Sequence, residues 1–373
     1  MINIEINTSS RYEVLMGEGL LESSGDIVCR ALGLSSGEGT RLGIISDENV
    51  TRIYGGDDSI LAGSLRDAGF SVHCFSFPGG EHNKNLDTVS NITDFLCENH
   101  FTRSDALVAF GGGITGDITG FAASIYMRGI PFIQVPSTLL SAVDSSVGGK
   151  TGVNNSYGKN LIGAFHQPAA VIFDPALLKT LSRDLLLDGM AEMLKAGFIG
   201  DMSIVSEAVG FGEGLLSDGE NLTRLVAKAV AVKRDIVAED EKEKGNRRLL
   251  NLGHTIAHSI ETLSDFSISH GHAVAMGMRI IARAAAAQGW TDPAAGNMPQ
   301  ITDEVLNAFA FPEIPDFSAE DLTRIALHDK KAHGGSVSIV YPYRPGECRI
   351  IDVENNRLEA VIASGLCTYG KER

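Results

Sequence analysis

Cysteine is scarce in this 373-residue chain, and what there is suits no shared chemistry: Cys29, Cys74, Cys97, Cys348 and Cys367 are odd in number, scattered, and never spaced as CxxC. That excludes a disulfide framework and reads as a reducing, cytoplasmic compartment with free thiols as buried filler. Positive charge is short as well, because 31 Lys+Arg stand against 47 Asp+Glu and leave a net charge of −16. A nucleic acid or an anionic membrane wants a broad basic face that displaces counterions, so neither partner is expected. No window approaches the ~18 apolar residues of a membrane span. The opening Met1-Ile2-Asn3-Ile4-Glu5-Ile6 alternates apolar and polar as a strand does, without the basic-then-apolar order of a signal peptide. Internal repeats and low-complexity stretches are absent too.

What remains is an ordinary globular composition, 43% hydrophobic and 21% charged, with length for about two domains. In the first half, short β-branched runs (Leu42–Ser46, Phe70–Phe77, Ala106–Phe110, Phe132–Val135, Val171–Phe173) follow an opening pair of strands and alternate with amphipathic stretches. Such alternation predicts an α/β domain with a mostly parallel, Rossmann-like sheet. After Asp174-Pro175 the pattern becomes helix upon helix, closing with a late hairpin (Val337–Tyr341, Arg349–Val353) and a C-terminal helix. The predicted domains are therefore residues 1–174 and 175–373, with Glu239–Lys244 a solvated helix end.

Several clusters carry chemistry. Gly111-Gly112-Gly113-Ile114-Thr115-Gly116 follows a predicted strand and opens a helix, so its N–H groups suit a pyrophosphate, although an acid about 20 residues on is missing. Asp47 and Glu81 sit just after strands, placed either to hold ribose hydroxyls or, for Asp47, to cap a helix. Residues 136–160 form a long, polar, Gly-rich stretch read as a functional loop, in which Lys150 and Lys159, with Arg128, offer an anion site. Four histidines, His254, His258, His270 and His272, fall within 19 positions. By spacing alone, His254 and His258 at i, i+4 are the natural first pair of metal ligands. Glu192 is a candidate third, in an apolar helix where an unpaired carboxylate is costly, the competing reading being a surface pair with Lys195.

Taken in order, Pro78-Gly-Gly-Glu81-His-Asn-Lys84, Gly111-Gly-Gly-Ile-Thr-Gly-Asp117, Tyr126-Met-Arg128-Gly, Asp144-Ser-Ser-Val-Gly-Gly-Lys150-Thr, Gly158-Lys159-Asn160-Leu-Ile-Gly-Ala-Phe, Ala191-Glu192-Met-Leu-Lys195 and Asn251-Leu-Gly-His254-Thr with His270-Gly resemble the 3-dehydroquinate synthases of the sugar phosphate cyclase family over nearly the whole length. The resemblance implies an N-terminal NAD-binding domain, an all-helical C-terminal metal-binding domain, and usually a homodimer. It implies conversion of 3-deoxy-D-arabino-heptulosonate 7-phosphate to 3-dehydroquinate and phosphate, by transient oxidation with NAD+, elimination, reduction and intramolecular aldol closure. The implied metal, typically Zn2+ with Co2+ as an alternative, falls on Glu192, His254 and His270, which displaces His258 to the substrate side. Lys150, Lys195, Lys233, Arg247, Asn251, His258, Asn160 and one or both of Lys330 and Lys331 are implied to line the substrate pocket, with Arg128 from the neighbouring subunit. Asp47, Glu81, Lys84, Gly112, Gly113, Asp117, Ser137, Thr138, Asp144, Lys150 and Lys159 are implied to serve the cofactor or its loop. Many members carry His-Gly-Glu where this chain has His270-Gly-His272, so a different hydrogen-bond environment behind the ligands is expected, with activity surviving. The rivals are another sugar phosphate cyclase and a metal-dependent polyol dehydrogenase.

Overall fold

The computed structural model describes residues 1–329 and 335–366 and resolves into two compact units. Met1–Ser182 with Gly219–Lys242 form the first, Arg183–Asp218 with the chain from Glu243 onward the second. The division departs from the expected boundary after residue 174, and its physical reason is a helix that belongs with the sheet although it follows two helices of the other unit.

In chain order the first unit contains β1 (Ile2–Asn7), β2 (Arg11–Met16), α1 (Ser24–Leu32), β3 (Arg41–Asp47), α2 (Glu48–Tyr54), α3 (Ile60–Asp67), β4 (Ser71–Phe77), α4 (Leu86–Glu98), β5 (Ala106–Gly111), α5 (Gly113–Ile125), β6 (Phe132–Pro136), β7 (Lys150–Asn155), β8 (Gly158–Phe165) and β9 (Ala170–Phe173). After α6 (Arg183–Gly200) and α7 (Met202–Phe211), α8 (Gly219–Glu239) rejoins the first unit by packing on β1. The second unit continues with α9 (His254–Leu263), α10 (His270–Ala287), α11 (Met298–Ala308), α12 (Ala319–Asp329), β10 (Ser336–Arg344), β11 (Glu347–Glu354) and α13 (Asn355–Leu366). Its described residues are mainly helical, with the antiparallel β10–β11 hairpin that the sequence pattern announces. No helix among the described residues is long and apolar enough to cross a membrane.

Seven strands form one sheet in the order β1-β2-β9-β6-β5-β3-β4, parallel except for the β1–β2 pair. Because side chains alternate along a strand, a sheet covered on both faces needs apolar residues at successive positions. In β5, Ala106, Val108 and Phe110 pack with α1 and α3 on one face, while Leu107 packs with α4 and α5 on the other. Strand order reverses between β3 and β5, and at such a point the loops beyond the carboxyl ends part to leave a crevice. The glycine run that follows β5 therefore stands at this reversal, since β5 is one of its two strands.

Residues 136–160 are not the open loop expected. Ser141–Ser145 form a single wide helical turn, and β7 and β8 pair as a hairpin. Close crossing explains the glycines here: a Cβ on Gly163 would lie 2.2 Å from the Thr151 carbonyl oxygen, and one on Gly152 would lie 2.6 Å from that of Ile162. Nor is Glu239–Lys244 simply a solvated end. Half-buried Glu241 accepts hydrogen bonds from Ser9 N–H and Oγ and from Gln167 Nε2, and these hold its carboxyl below the usual range although burial opposes them. The free cysteines Cys29 and Cys348 are buried as expected, but Cys97 is exposed.

Candidate active site

At the sheet's carboxyl edge, Asp47 ends β3 and caps α2, with Oδ1 accepting from Asn49 N at 2.8 Å and Val50 N at 3.2 Å. The capping reading is therefore realised, and the Thr115 hydroxyl reaches its other oxygen only at 3.5 Å. Gly112 and Gly113 begin α5 against residues after β6: added Cβ atoms would lie 3.2 Å from Thr138 Cγ2 and 2.9 Å from Ser145 Oγ. Ser137 donates its N–H to the Gly111 carbonyl, and the Thr138 and Ser141 hydroxyls bond at 2.8 Å.

Lys84 is buried, and its Nζ donates to Asp117 Oδ2 and to Asn160 Oδ1, both at 2.6 Å. Burial raises the Asp117 carboxyl above its ordinary range, against the pull of Lys84. Asn160 takes a left-handed backbone (φ 54°) and donates its N–H to Asn154 Oδ1, while Asn154 Nδ2 reaches Glu81. Lys159 faces Glu81 at 3.9 Å. The structure therefore brings Glu81, Lys84, Asp117, Lys159 and Asn160 into one network. Lys233 on α8 donates to Asp144 at both its Oδ1 (2.7 Å) and its carbonyl (2.6 Å). Lys150 begins β7 at the surface. Arg128 sits in an exposed turn where Met127, Arg128 and Gly129 all have positive φ, and it makes no ion pair among the described residues. Of the three cations read as an anion site, Lys159 stands near an acid.

In the second unit, Glu192 on α6, His254 on α9 and His270 on α10 place ligand-type atoms within 4.8 Å of one another. Glu192 Oε1 lies 3.6 Å from His254 Nε2 and 3.3 Å from His270 Nε2. Lys195 pairs with Glu192 as i, i+3 spacing suggests, but both side chains are almost wholly buried, so the surface-pair reading fails. Neither Glu192 oxygen accepts a hydrogen bond of regular geometry. Burial favours a neutral acid, yet Lys195, His254 and His270 hold the carboxyl well below its usual range. An ionised, buried carboxylate facing two imidazole nitrogens is the acid-and-two-histidine donor set that a catalytic zinc-type cation takes, leaving a position for substrate. The residues fit a divalent metal.

The imidazoles are oriented from behind. His254 Nδ1 donates to the Leu252 carbonyl at 3.2 Å, leaving Nε2 with its lone pair toward Glu192. Burial, and next Lys195, push His254 well below its ordinary pKa. His270 Nδ1 lies 3.4 Å from Glu261 Oε2, placing a second buried carboxylate behind that ring. His258 stays close, its ring centroid 5.7 Å from that of His254, but the set facing Glu192 takes His270 instead. Glycine permits the close helix contacts: a Cβ on Gly277 would meet the Gly253 carbonyl oxygen at 2.2 Å, so α10 touches the start of α9.

Sequence reasoning missed Glu261 and Glu243. The first stands three residues after His258, one turn along the same helix, a signal available in the spacing. The second was absorbed in the charged run, yet it takes a left-handed φ of 56° and accepts from Asn251 Nδ2 at 2.8 Å. Arg247 is buried. Lys330 and Lys331 lie outside the described residues.

The model of the 3-dehydroquinate synthase N-terminal domain matches residues 74–188, and that of the C-terminal domain matches 189–332. The chain belongs to the 3-dehydroquinate synthase family. A 3-dehydroquinate synthase of Microcystis aeruginosa is 40% identical over 358 residues, 94% of each chain. Among solved structures, a 2-deoxy-scyllo-inosose synthase complexed with carbaglucose-6-phosphate, NAD+ and Co2+ superposes with a TM-score of 0.84 at 26% identity, covering 98% of this chain and 100% of that one. A 2-epi-5-epi-valiolone synthase of Streptomyces hygroscopicus with NAD+ and Zn2+ bound gives 0.83 at 26%, covering 97% and 98%. The family membership expected from the motifs is thus shown, and so is the α/β-plus-helical layout.

Proposed function

We infer that this chain is a 3-dehydroquinate synthase, a cyclising phosphate lyase that turns 3-deoxy-D-arabino-heptulosonate 7-phosphate into 3-dehydroquinate and phosphate. The observation that carries this reading is the 40% identity spanning 94% of both chains with a 3-dehydroquinate synthase, against 26% for the two other cyclases. NAD+ and a divalent metal, Zn2+ or Co2+, supply when bound a reversible hydride acceptor and a Lewis acid that acidifies a substrate hydroxyl.

The chain's own residues supply binding and orientation. Glu192, His254 and His270 hold the metal, with Glu261 fixing the His270 tautomer. Lys195, paired with Glu192, offers a buried cation to substrate oxygen, and Asn251, Arg247 and His258 provide further polar contacts. Lys150, Asn160, Lys233 and one or both of Lys330 and Lys331 are further candidate contacts to the substrate. The Lys84–Asp117–Asn160 network, with Glu81, Lys159, Asp47, Ser137, Thr138 and Asp144, organises the cofactor loops, and the amides of Gly112 and Gly113 at the α5 N-terminus face its pyrophosphate. Exposed Arg128 reaches the substrate phosphate of a second copy in a homodimer, and the enzyme works in the cytoplasm.

The test is phosphate release from 3-deoxy-D-arabino-heptulosonate 7-phosphate with NAD+, with and without a chelator, while NADH absorbance is followed. Chelator-sensitive release with 3-dehydroquinate formed and no lasting NADH is expected. No release, or stoichiometric NADH, would overturn the reading in favour of another cyclase or a dehydrogenase.

A further inference from the structure

Asp188 stands one helical turn before Glu192 on α6, so the two carboxylates leave neighbouring positions on one helix face. Its Oδ1 accepts from three groups at the start of α10: the Ser269 hydroxyl at 2.6 Å, the His272 backbone N–H at 3.2 Å and His272 Nδ1 at 3.1 Å. Ser269 Oγ lies 2.7 Å from the same Nδ1, closing the contact. An ionised carboxylate only accepts, so the ring nitrogen turned toward it carries the proton. Ser269 occupies the cap position of α10 without capping it. The cap comes from the other helix: Asp188 receives the third amide of α10, and its negative charge meets the positive end of that helix.

This clasp joins the two helices that carry Glu192 and His270, within four residues of the first and two of the second. His272 is further fixed by an edge-on contact to Phe311, with ring centroids 5.7 Å apart. Between the two clasp residues of α10 lies Gly271, where a Cβ would sit 2.2 Å from the Asp188 carbonyl oxygen, so the backbones are in direct contact.

We propose that Asp188, Ser269 and His272 are positioning residues that fix His270 against Glu192 and so set the affinity of the acid-and-two-histidine site for a divalent cation. The proposal rests on the metal reading above. Metal-free protein, without substrate or NAD+, is titrated with Co2+ against a chromophoric chelator, and the visible cobalt spectrum is recorded. His272→Asn keeps an N–H donor at the Nδ1 position, whereas His272→Gln moves it to that of Nε2. The expected result is affinity within about threefold of wild type for His272→Asn and weakened by roughly 10- to 100-fold for His272→Gln and Asp188→Ala, with an altered spectrum. Circular dichroism identifies folded variants, and should Asp188→Ala not fold, the Asn and Gln pair decides. Equal affinity in folded Asn and Gln variants overturns the clasp while leaving the metal site intact. Absence of cobalt binding in wild type overturns the metal reading and the clasp with it.

Discussion

Adding one methyl group at Gly271 tests how tightly the metal donors depend on helix contact. The new Cβ would lie 2.2, 2.3 and 2.6 Å from the carbonyl oxygen, Cα and carbonyl carbon of Asp188, all backbone of α6. No rotamer change can clear them. Ordinary contact starts at 3.4 Å, so the start of α10 must withdraw from α6 by roughly 1 Å. His270 is the residue immediately before, and Glu192 one turn after Asp188, so the same displacement opens the 3.3 Å approach between His270 and Glu192. Metal sites tolerate about 0.2 Å in ligand distance.

Overpacking costs about 1–3 kcal/mol, and the gain of alanine over glycine in a helix, about 0.5–1 kcal/mol, offsets only part of that. The larger loss falls on the metal. At a Zn2+ concentration of about 100 times the wild-type Kd, binding adds about 2.7 kcal/mol to stability, and a hundredfold weaker site leaves about 0.4 kcal/mol. Thermal melting of Gly271→Ala with and without Zn2+ should therefore show most of the metal-induced rise in Tm gone. Gly63→Ala in α3, where a Cβ meets nothing within 4 Å, is the control and should keep that rise in full. A Gly271→Ala protein with the wild-type metal response would refute the argument that close backbone contact sets the donor geometry.

The donor set predicts that His254→Ala and His270→Ala abolish metal retention on gel filtration while His258→Ala keeps it; equal loss in all three would contradict the assignment. His270 gives a pH dependence: burial lowers its pKa, but the Glu192 and Glu261 carboxylates facing its two nitrogens outweigh burial and push it up to about 10. At neutral pH the metal-free protein thus carries a proton there that the metal must displace, so affinity should rise with pH and a pH-stat should record proton release on binding. Affinity unchanged between about pH 6 and pH 8 would exclude that competition. Asp117→Asn removes the carboxylate from nearly buried Lys84, and breaking such a pair should lower stability by roughly 3 kcal/mol in urea unfolding, with weaker NAD+ binding. A loss below about 0.5 kcal/mol would mean that Asn160 and water suffice to hold Lys84.

Much of the sheet was legible because its inner strands β3, β5, β6 and β9 are short apolar runs buried on both faces, which leaves few other ways to place them. The β7–β8 hairpin escaped because its glycines look like flexibility in a sequence, while in the structure they let two backbones cross closely. For the metal donors, spacing found a true neighbour in His258 but could not rank it against His270, since helix periodicity reports which residues share a face and says nothing of what a separate helix brings opposite. The motif resemblance supplied that tertiary information. Asp188 and Glu261 stayed unread for the same reason, their partners being 84 and 9 residues away on another helix. Glu243 was hidden by its neighbours, because a run of alternating charges reads as solvated whichever member turns inward.

The excess of acid and the anionic substrate are reconciled at the lysines. Three of the cations expected to meet cofactor or substrate already stand against carboxylates: Lys84 with Asp117, Lys233 with Asp144 and Lys195 with Glu192. All three lysines are nearly or wholly buried, and a buried ammonium with no counter-charge tends to lose its proton. A nearby carboxylate opposes that loss, and each of the three stands against one. Net charge therefore says little about which ion such a protein accepts. An acidic chain can bind an acidic ligand when its local cations are each held by an acid, and the −16 of this sequence includes those acids.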